Sequence, residues 1–293
     1  MTRIRADLLL LACAAIWGFA FLFQKSAMDH IGPFTFVGSR ALLAALVLAP
    51  LAYVEHRRST IPIAGNYLRT GIFAGLAFVT AAVLQQAGLI TASVTNTAFL
   101  TALYVVITPF ISFALMRDPI AAPIWLAVAL SFVGTWLLGG GGTLTGFGIG
   151  DGLVALSAAF WALHMVIVGI AAPMGRSILF SVIQFAVVGV TALAGALLFE
   201  TVTFDGLRAA VPNILYVGLL STAISFTILT FALRATSPSE AAIIIMTETL
   251  FAAFGAWLVF NEGLTYLGAL GAAAILSAAI LVQLQQVRNA DLK

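Results

Sequence analysis

Ten stretches of apolar residues, separated by short polar or Gly/Pro-containing breaks, fill the 293-residue chain. A helix needs about 20 apolar residues to cross a hydrocarbon core. The pattern predicts membrane spans over about 7–25, 33–53, 68–89, 94–116, 120–138, 152–172, 178–199, 212–233, 241–260 and 264–285. Residues 71–116 carry no charge and are too long for one crossing, so they divide at the polar hairpin 89–93. Gly32-Pro33, Pro119, Pro173-Met174-Gly175 and Pro238 mark other breaks.

The second five segments echo the first five at an offset of 144 residues. Asp7–Trp17 opens one half and Asp151–Trp161 the other; the same offset pairs Ser93 with Ser237, Asp118 with Glu262 and Leu137 with Leu281. The chain therefore divides into a first five-helix repeat (1–138), a Gly-rich linker (139–150) and a second five-helix repeat (151–293). Five is odd, so the second copy must enter the membrane from the opposite side. The expected fold is an all-α polytopic membrane protein of ten transmembrane helices in two inverted five-helix repeats. Inverted repeats recur in secondary transporters.

Composition agrees. The chain is 62% hydrophobic and 8% charged, against about 25% charged in a soluble domain. The length leaves no room for a sizeable soluble domain, and nothing suggests nucleic-acid binding. Cys13 is the only cysteine, which excludes an intrachain disulfide or a cysteine metal cluster. Arg3 and Arg5 before an apolar stretch could mimic a signal peptide, but the repeat counts this stretch as a full member. Basic residues decide orientation. With the N-terminus inside, Arg3, Arg5, Arg57, Arg58, Arg69, Arg117, Arg176, Arg234, Arg288 and Lys293 face the cytoplasm, ten of thirteen Lys/Arg. Arg208 then falls in an outer loop, and Lys25 at the outer end of the first helix reads as a snorkelling anchor. Both termini are expected in the cytoplasm, and the location is a bacterial inner membrane. The run Gly139–Gly142 lacks the Lys-Ser/Thr ending of a phosphate-binding loop and follows a membrane helix rather than a strand, so it reads as a linker.

Four motifs carry a resemblance: Trp17-Gly18 through Lys25 in the first segment; Gly32-Pro33 and Ser39-Arg40 in the second; Gln85 to Gly88, then Thr95 to Pro109, across the third and fourth; and Thr247-Glu248 to Glu262 in the ninth. Their order and spacing resemble the ten-helix EamA-type branch of the drug/metabolite transporter superfamily over nearly the whole chain, most closely bacterial amino-acid exporters of the YddG type. The resemblance implies a central cavity lined by helices 1, 3, 4, 6, 8 and 9, alternating access, and peripheral helices 5 and 10. The family usually has Glu-Pro in helix 9, whereas here Thr249 follows Glu248, which puts a kink there in doubt.

Several residues are candidates for the substrate cavity. Trp17 and Trp161 are repeat partners about ten residues into their helices, near mid-membrane, where interfacial tryptophans do not belong. They either pack between helices or form an aromatic wall. Thr97, Thr101, Tyr104 and Thr108 follow a +4, +3, +4 spacing that would put four hydroxyls on one helix face, although threonines also bond back to their own helix. Ser221 and Ser225 repeat the theme on helix 8 and Thr80 on helix 3. His164 is either a proton-linked switch or a structural histidine. Glu248 is an intramembrane carboxylate, a mark of transport pathways. Arg40 lies at a height from which it could reach Glu248. The two could form a structural charge pair, or Glu248 could hold a proton or an ammonium and Arg40 a carboxylate. No catalytic set, metal or cofactor is assigned, and no ATP-binding motif is present.

These features favour a secondary transporter exporting small metabolites, with amino acids, including aromatic ones, as the expected solutes. Export of cationic drugs is the alternative; an intramembrane enzyme and a pore are weaker classes. The expected partners are a small-molecule substrate and the lipid bilayer. Gly71 to Gly75 and Gly268, Ala272 and Ala273 permit close helix contact, leaving a monomer or weak dimer open.

Overall fold

The computed structural model describes residues 2–60, 62–117, 122–138, 148–260 and 265–290. Asp118, Pro119, Glu262 and linker residues 139–147, all singled out from the sequence, lie outside these. The chain is an all-α polytopic membrane protein. Among the described residues, eight helices are long and apolar enough to cross a membrane, and two shorter apolar ones, Ala122–Leu137 and Tyr266–Leu281, occupy the fifth and tenth positions of the pattern.

The first half comprises α1 (Arg3–Ala27), α2 (Pro33–Arg58), α3 (Tyr67–Leu89), α4 (Val94–Thr101), α5 (Tyr104–Met116) and α6 (Ala122–Leu138). The second comprises α7 (Ile149–Ala171), α8 (Ser177–Phe199), α9 (Phe204–Leu215), a π-helical segment (Tyr216–Ser225), α10 (Phe226–Ala232), α11 (Pro238–Ile245), α12 (Glu248–Phe260) and α13 (Tyr266–Ala290). The repeat is visible in the boundaries themselves: α8, α11, α12 and α13 start 144 residues after α2, α4, α5 and α6. Local chemistry follows. Ser93 caps α4 by accepting from the Asn96 N–H, and its repeat partner Ser237 caps α11 by accepting from the Glu240 N–H, each satisfying a donor that a helix start leaves free.

The fourth and ninth spans are both interrupted. At Ala102-Leu103 and again at Met246-Thr247 the α-helix gives way to a tight turn with i→i+3 bonds, including Leu103 N–H to Leu100 O and Thr247 N–H to Ile244 O. The ninth-helix interruption therefore forms with Thr249 in place of a proline. The interruption also divides the expected hydroxyl stripe between α4 and α5.

Helices α2 and α8 run antiparallel and cap one another. At one end the Glu200 carboxylate accepts from the Phe34 N–H (2.7 Å), the Thr35 N–H (2.8 Å) and the Thr35 hydroxyl (2.6 Å) at the start of α2. At the other, Glu55 accepts from the Leu179 N–H at 2.9 Å near the start of α8. Thr35 and Leu179 are themselves repeat partners. Carboxylates at helix starts are favoured by both the free N–H groups and the dipole. Glu200→Ala is expected to orphan three donors and cost about 2 kcal/mol, read as a lower thermal midpoint in detergent.

Two expectations need correction. Lys25 is not a snorkelling anchor: its ammonium donates to the carbonyls of Leu89 (2.7 Å), Ile90 (3.0 Å) and Ala92 (3.2 Å). Helix ends leave carbonyls without partners, and a cation there is favoured. Arg208 does not lie in a loop, because α9 begins at Phe204, capped by Thr203 accepting from the Gly206 N–H. The Thr203-Phe204-Asp205 start sits ahead of the apolar run from which the eighth span was placed.

Glycines set the closest approaches. Gly71 meets Ile183, and Gly75 meets Val187 and the Gln184 carbonyl, so this pair packs α3 on α8. Gly134 on α6 meets the Gly271 carbonyl on α13, joining the two peripheral helices.

Candidate functional site

A partly open cavity, with about 590 Å³ of unoccupied space that includes open solvent, is lined by residues of both halves. It is lined from α1, α2, α3, α4, α5, α7, the π-helical segment, α10, α11 and α12. Among the described residues, α6 and α13 contribute nothing, whereas α2 contributes Arg40.

Its walls follow the repeat. Trp17 faces the same space as Trp161, Phe21 as Met165, Gln85 as Leu229, Thr101 as Ile245, and Tyr104 as Glu248. In each pair the residues are 144 apart. A cavity bounded by residues and their own repeat partners sits on the axis relating the two halves. The chemistry of the pairs is nevertheless unequal. Gln85 and Thr101, hydrogen-bonded to each other at 2.8 Å, face apolar counterparts. Tyr104 faces a carboxyl and also points at the Ala242 carbonyl at 3.4 Å. Interruption of the fourth and ninth spans places Tyr104 and Glu248 as the first residues of α5 and α12, and the Tyr104 hydroxyl lies beside the Glu248 carboxyl.

Arg40 and Glu248 both line this cavity, only 3% and 4% exposed. No ion pair within 4.0 Å joins them; the pair formed among the described residues is Arg3 with Glu240 at the bundle's end. The Arg40 Nε has no hydrogen-bond partner, and the guanidinium sits 5.5 Å from the centroid of the Phe36 ring. Buried charges are costly unless compensated, so a buried guanidinium and a buried carboxyl left apart beside open space form a receptive arrangement.

Aromatic rings form one wall. Phe226 lies between the repeat-related tryptophans, with its centroid 4.7 Å from Trp17 and 5.8 Å from Trp161, the latter pair inclined by 20°. Phe78 closes behind at 5.0 Å from Trp161 and 4.6 Å from Phe226. The Trp17 indole N–H donates to the Ser221 carbonyl at 2.9 Å. His164 also borders the cavity, with Nε2 2.8 Å from the Gln184 Oε1.

Other candidates lie elsewhere. Thr80 bonds to the Leu76 carbonyl, Thr97 to Ser93, Thr108 to Tyr104 and Ser225 to Leu220, each within its own helical run and none lining the cavity. Back-bonding of this kind competes for isolated hydroxyls on membrane helices. Gln24, Gln85, Phe21, Met165 and Phe226 line the cavity without having been among the cavity candidates. The repeat offset would have found Gln85 through Leu229 only by pairing every position. Phe226 is one of 22 phenylalanines and has no aromatic repeat partner.

Residues 4–140 and 148–284 each match the EamA-like transporter family. The chain belongs to the EamA-like transporter family. Two family units in tandem coincide with the two halves whose partners face each other across the cavity. An uncharacterized transporter from Archaeoglobus fulgidus is 28% identical over 283 residues, spanning 97% of this chain and 87% of that protein. A solved crystal structure superposes with a TM-score of 0.78 at 15% identity, over 98% of this chain and 99% of that one, a likeness of fold. Family membership makes the cavity that of a transporter.

Proposed function

We propose that this EamA-family transporter carries small zwitterionic metabolites, foremost amino acids including aromatic ones, outward across a bacterial inner membrane. The observation that supports this reading is that Arg40 and Glu248 line the same cavity without pairing. A solute bearing a carboxylate and an ammonium can complement both at once. Arg40 suits a carboxylate through its fork of donors, and Glu248 with Tyr104 suits an ammonium. Trp17, Trp161 and Phe226 offer faces for an aromatic side chain or for cation–π contact. The halves 1–138 and 151–293 rock about the cavity, joined by 139–150, with both termini cytoplasmic. A purely cationic drug would use Glu248 and the aromatic wall but would leave Arg40 uncompensated.

The test is efflux from liposomes loaded with labelled amino acids, with and without a pH gradient. Saturable, competed efflux supports the reading. Movement of cationic dyes with no amino-acid efflux overturns it. If Glu248 couples transport to protons, Glu248→Gln makes the rate insensitive to the gradient; unchanged pH dependence in that variant removes the proton role.

A further inference from the structure

The two cavity tryptophans are repeat partners, yet their surroundings differ. Helix α1 is hydrogen-bonded into the π-helical segment at three points: Trp17 Nε1 donates to the Ser221 carbonyl (2.9 Å), Cys13 Sγ to the Ser225 carbonyl (3.4 Å), and the Tyr216 hydroxyl to the Ile16 carbonyl (3.2 Å). The repeat-related place is where α7 meets residues 72–81 of α3. There the backbone is ordinary α-helix. The Trp161 indole N–H is buried with no partner. Ser157, the repeat partner of Cys13, turns back to the Val154 carbonyl of its own helix at 2.6 Å.

A buried donor without a partner is costly and calls for an explanation. Regular α-helix occupies its carbonyls with its own N–H groups, whereas i→i+5 bonding departs from that ladder and is a frequent mark of functional sites. The carbonyls repeat-related to those of Ser221 and Ser225 belong to Ala77 and Ala81, both in α3.

We propose that Trp17 and Trp161 are positioning residues that take turns. In the state described, Tyr216–Ser225 is π-helical and Trp17 is bonded. In the opposite state residues 72–81 take the π-helical form, Trp161 donates to the Ala77 carbonyl and Ser157 to the Ala81 carbonyl. The segment 216–225 then returns to α-helix and releases Trp17 and Cys13. Inverted repeats can exchange conformations in this way because each half has the same backbone plan. The exchange trades one indole bond for another, which keeps the two states close in free energy, as cycling requires. The inference rests on the alternating access of the proposed function but not on which solute is carried.

Opposite signs make it testable. Take the full chain in lipid nanodiscs with Cys13→Ser, which retains a donor. Attach spin labels at Leu68 and Arg234 near one end, or at Thr91 and Val202 near the other, all exposed. Measure the two-state distance distributions without added solute. Trp161→Phe keeps an aromatic ring but removes the donor used only in the opposite state. It should lower the fraction of that state about two- to tenfold, the weight of one hydrogen bond. Ser157→Ala removes one bond from each state and should leave the fraction nearly unchanged. Trp17→Phe should raise that fraction by a similar factor. Shifts of the same sign from both tryptophan variants, no shift from either, or a single distance population under all conditions would overturn the proposal. If Trp17→Phe fails to fold, the direction of Trp161→Phe decides, with Ser157→Ala as the unshifted control. Amino-acid efflux is scored separately, so a wrong solute and a wrong exchange give different failures.

Discussion

Replacing Arg40 by methionine is expected to separate stability from transport. The guanidinium is buried, has an unpartnered Nε and makes no ion pair with Glu248. Removing such a charge in favour of an apolar side chain of similar length relieves desolvation, so the thermal midpoint should hold or rise. Transport of a zwitterion should fall steeply. Truncating one partner of a buried, hydrogen-bonded charge pair costs about 2–5 kcal/mol, so kcat/KM should drop by roughly 30-fold or more. A cationic amine lacking the carboxylate should lose far less. Parallel loss of stability and of transport for both solutes would instead make Arg40 a structural residue. Thermal melts and reconstituted flux on one preparation read both quantities.

The second large effect is at Gly18. A Cβ built there would lie 2.5 Å from the Glu248 carbonyl oxygen and 2.5 Å from the Phe251 Cβ. Neither neighbour is the flexible end of a long side chain, so α1 and α12 would have to separate. Overpacking of this kind costs about 1–3 kcal/mol, and Gly18→Val, with a branched Cβ, should reach the upper part of that range. The displaced backbone belongs to Glu248 itself, and Trp17 is the neighbouring residue in sequence. Any variant that still folds should therefore have lost transport out of proportion to its stability. A folded Gly18→Val protein with normal flux would show that the α1–α12 contact does not hold the site.

Much of the architecture was legible because it rests on strong one-dimensional signals. Apolar run length placed the spans, and the 144-residue offset paired Ser93 with Ser237, which the structure shows capping α4 and α11. Pairing Trp17 with Trp161 picks out two residues that both line the cavity. Less legible was what depends on side-chain direction and on departures from ideal helix. The stripe from Thr97 to Thr108 assumed one unbroken helix, but the turn at Ala102-Leu103 splits it, leaving Thr101 and Tyr104 on the cavity while Thr97 and Thr108 bond to their own backbone. The π-helical segment from Tyr216 has no sequence signature, although it supplies the carbonyl that fixes Trp17. Lys25 looked like an anchor because its depth was readable and its partners were not. Arg40 and Glu248 were placed at compatible heights, but height along two helices says nothing of their lateral separation. That separation is what distinguishes a structural pair from two charges open to a solute.

The most direct measurement of the central claim is equilibrium binding to the purified protein of three related molecules: phenylalanine, the amine left when its carboxylate is removed, and the acid left when its ammonium is removed. The account predicts that the zwitterion binds more tightly than either fragment, that Arg40→Met removes its advantage over the amine, and that Glu248→Gln removes its advantage over the acid. Equal or tighter binding of the amine, unaffected by Arg40→Met, would contradict it and make the cavity a site for cations.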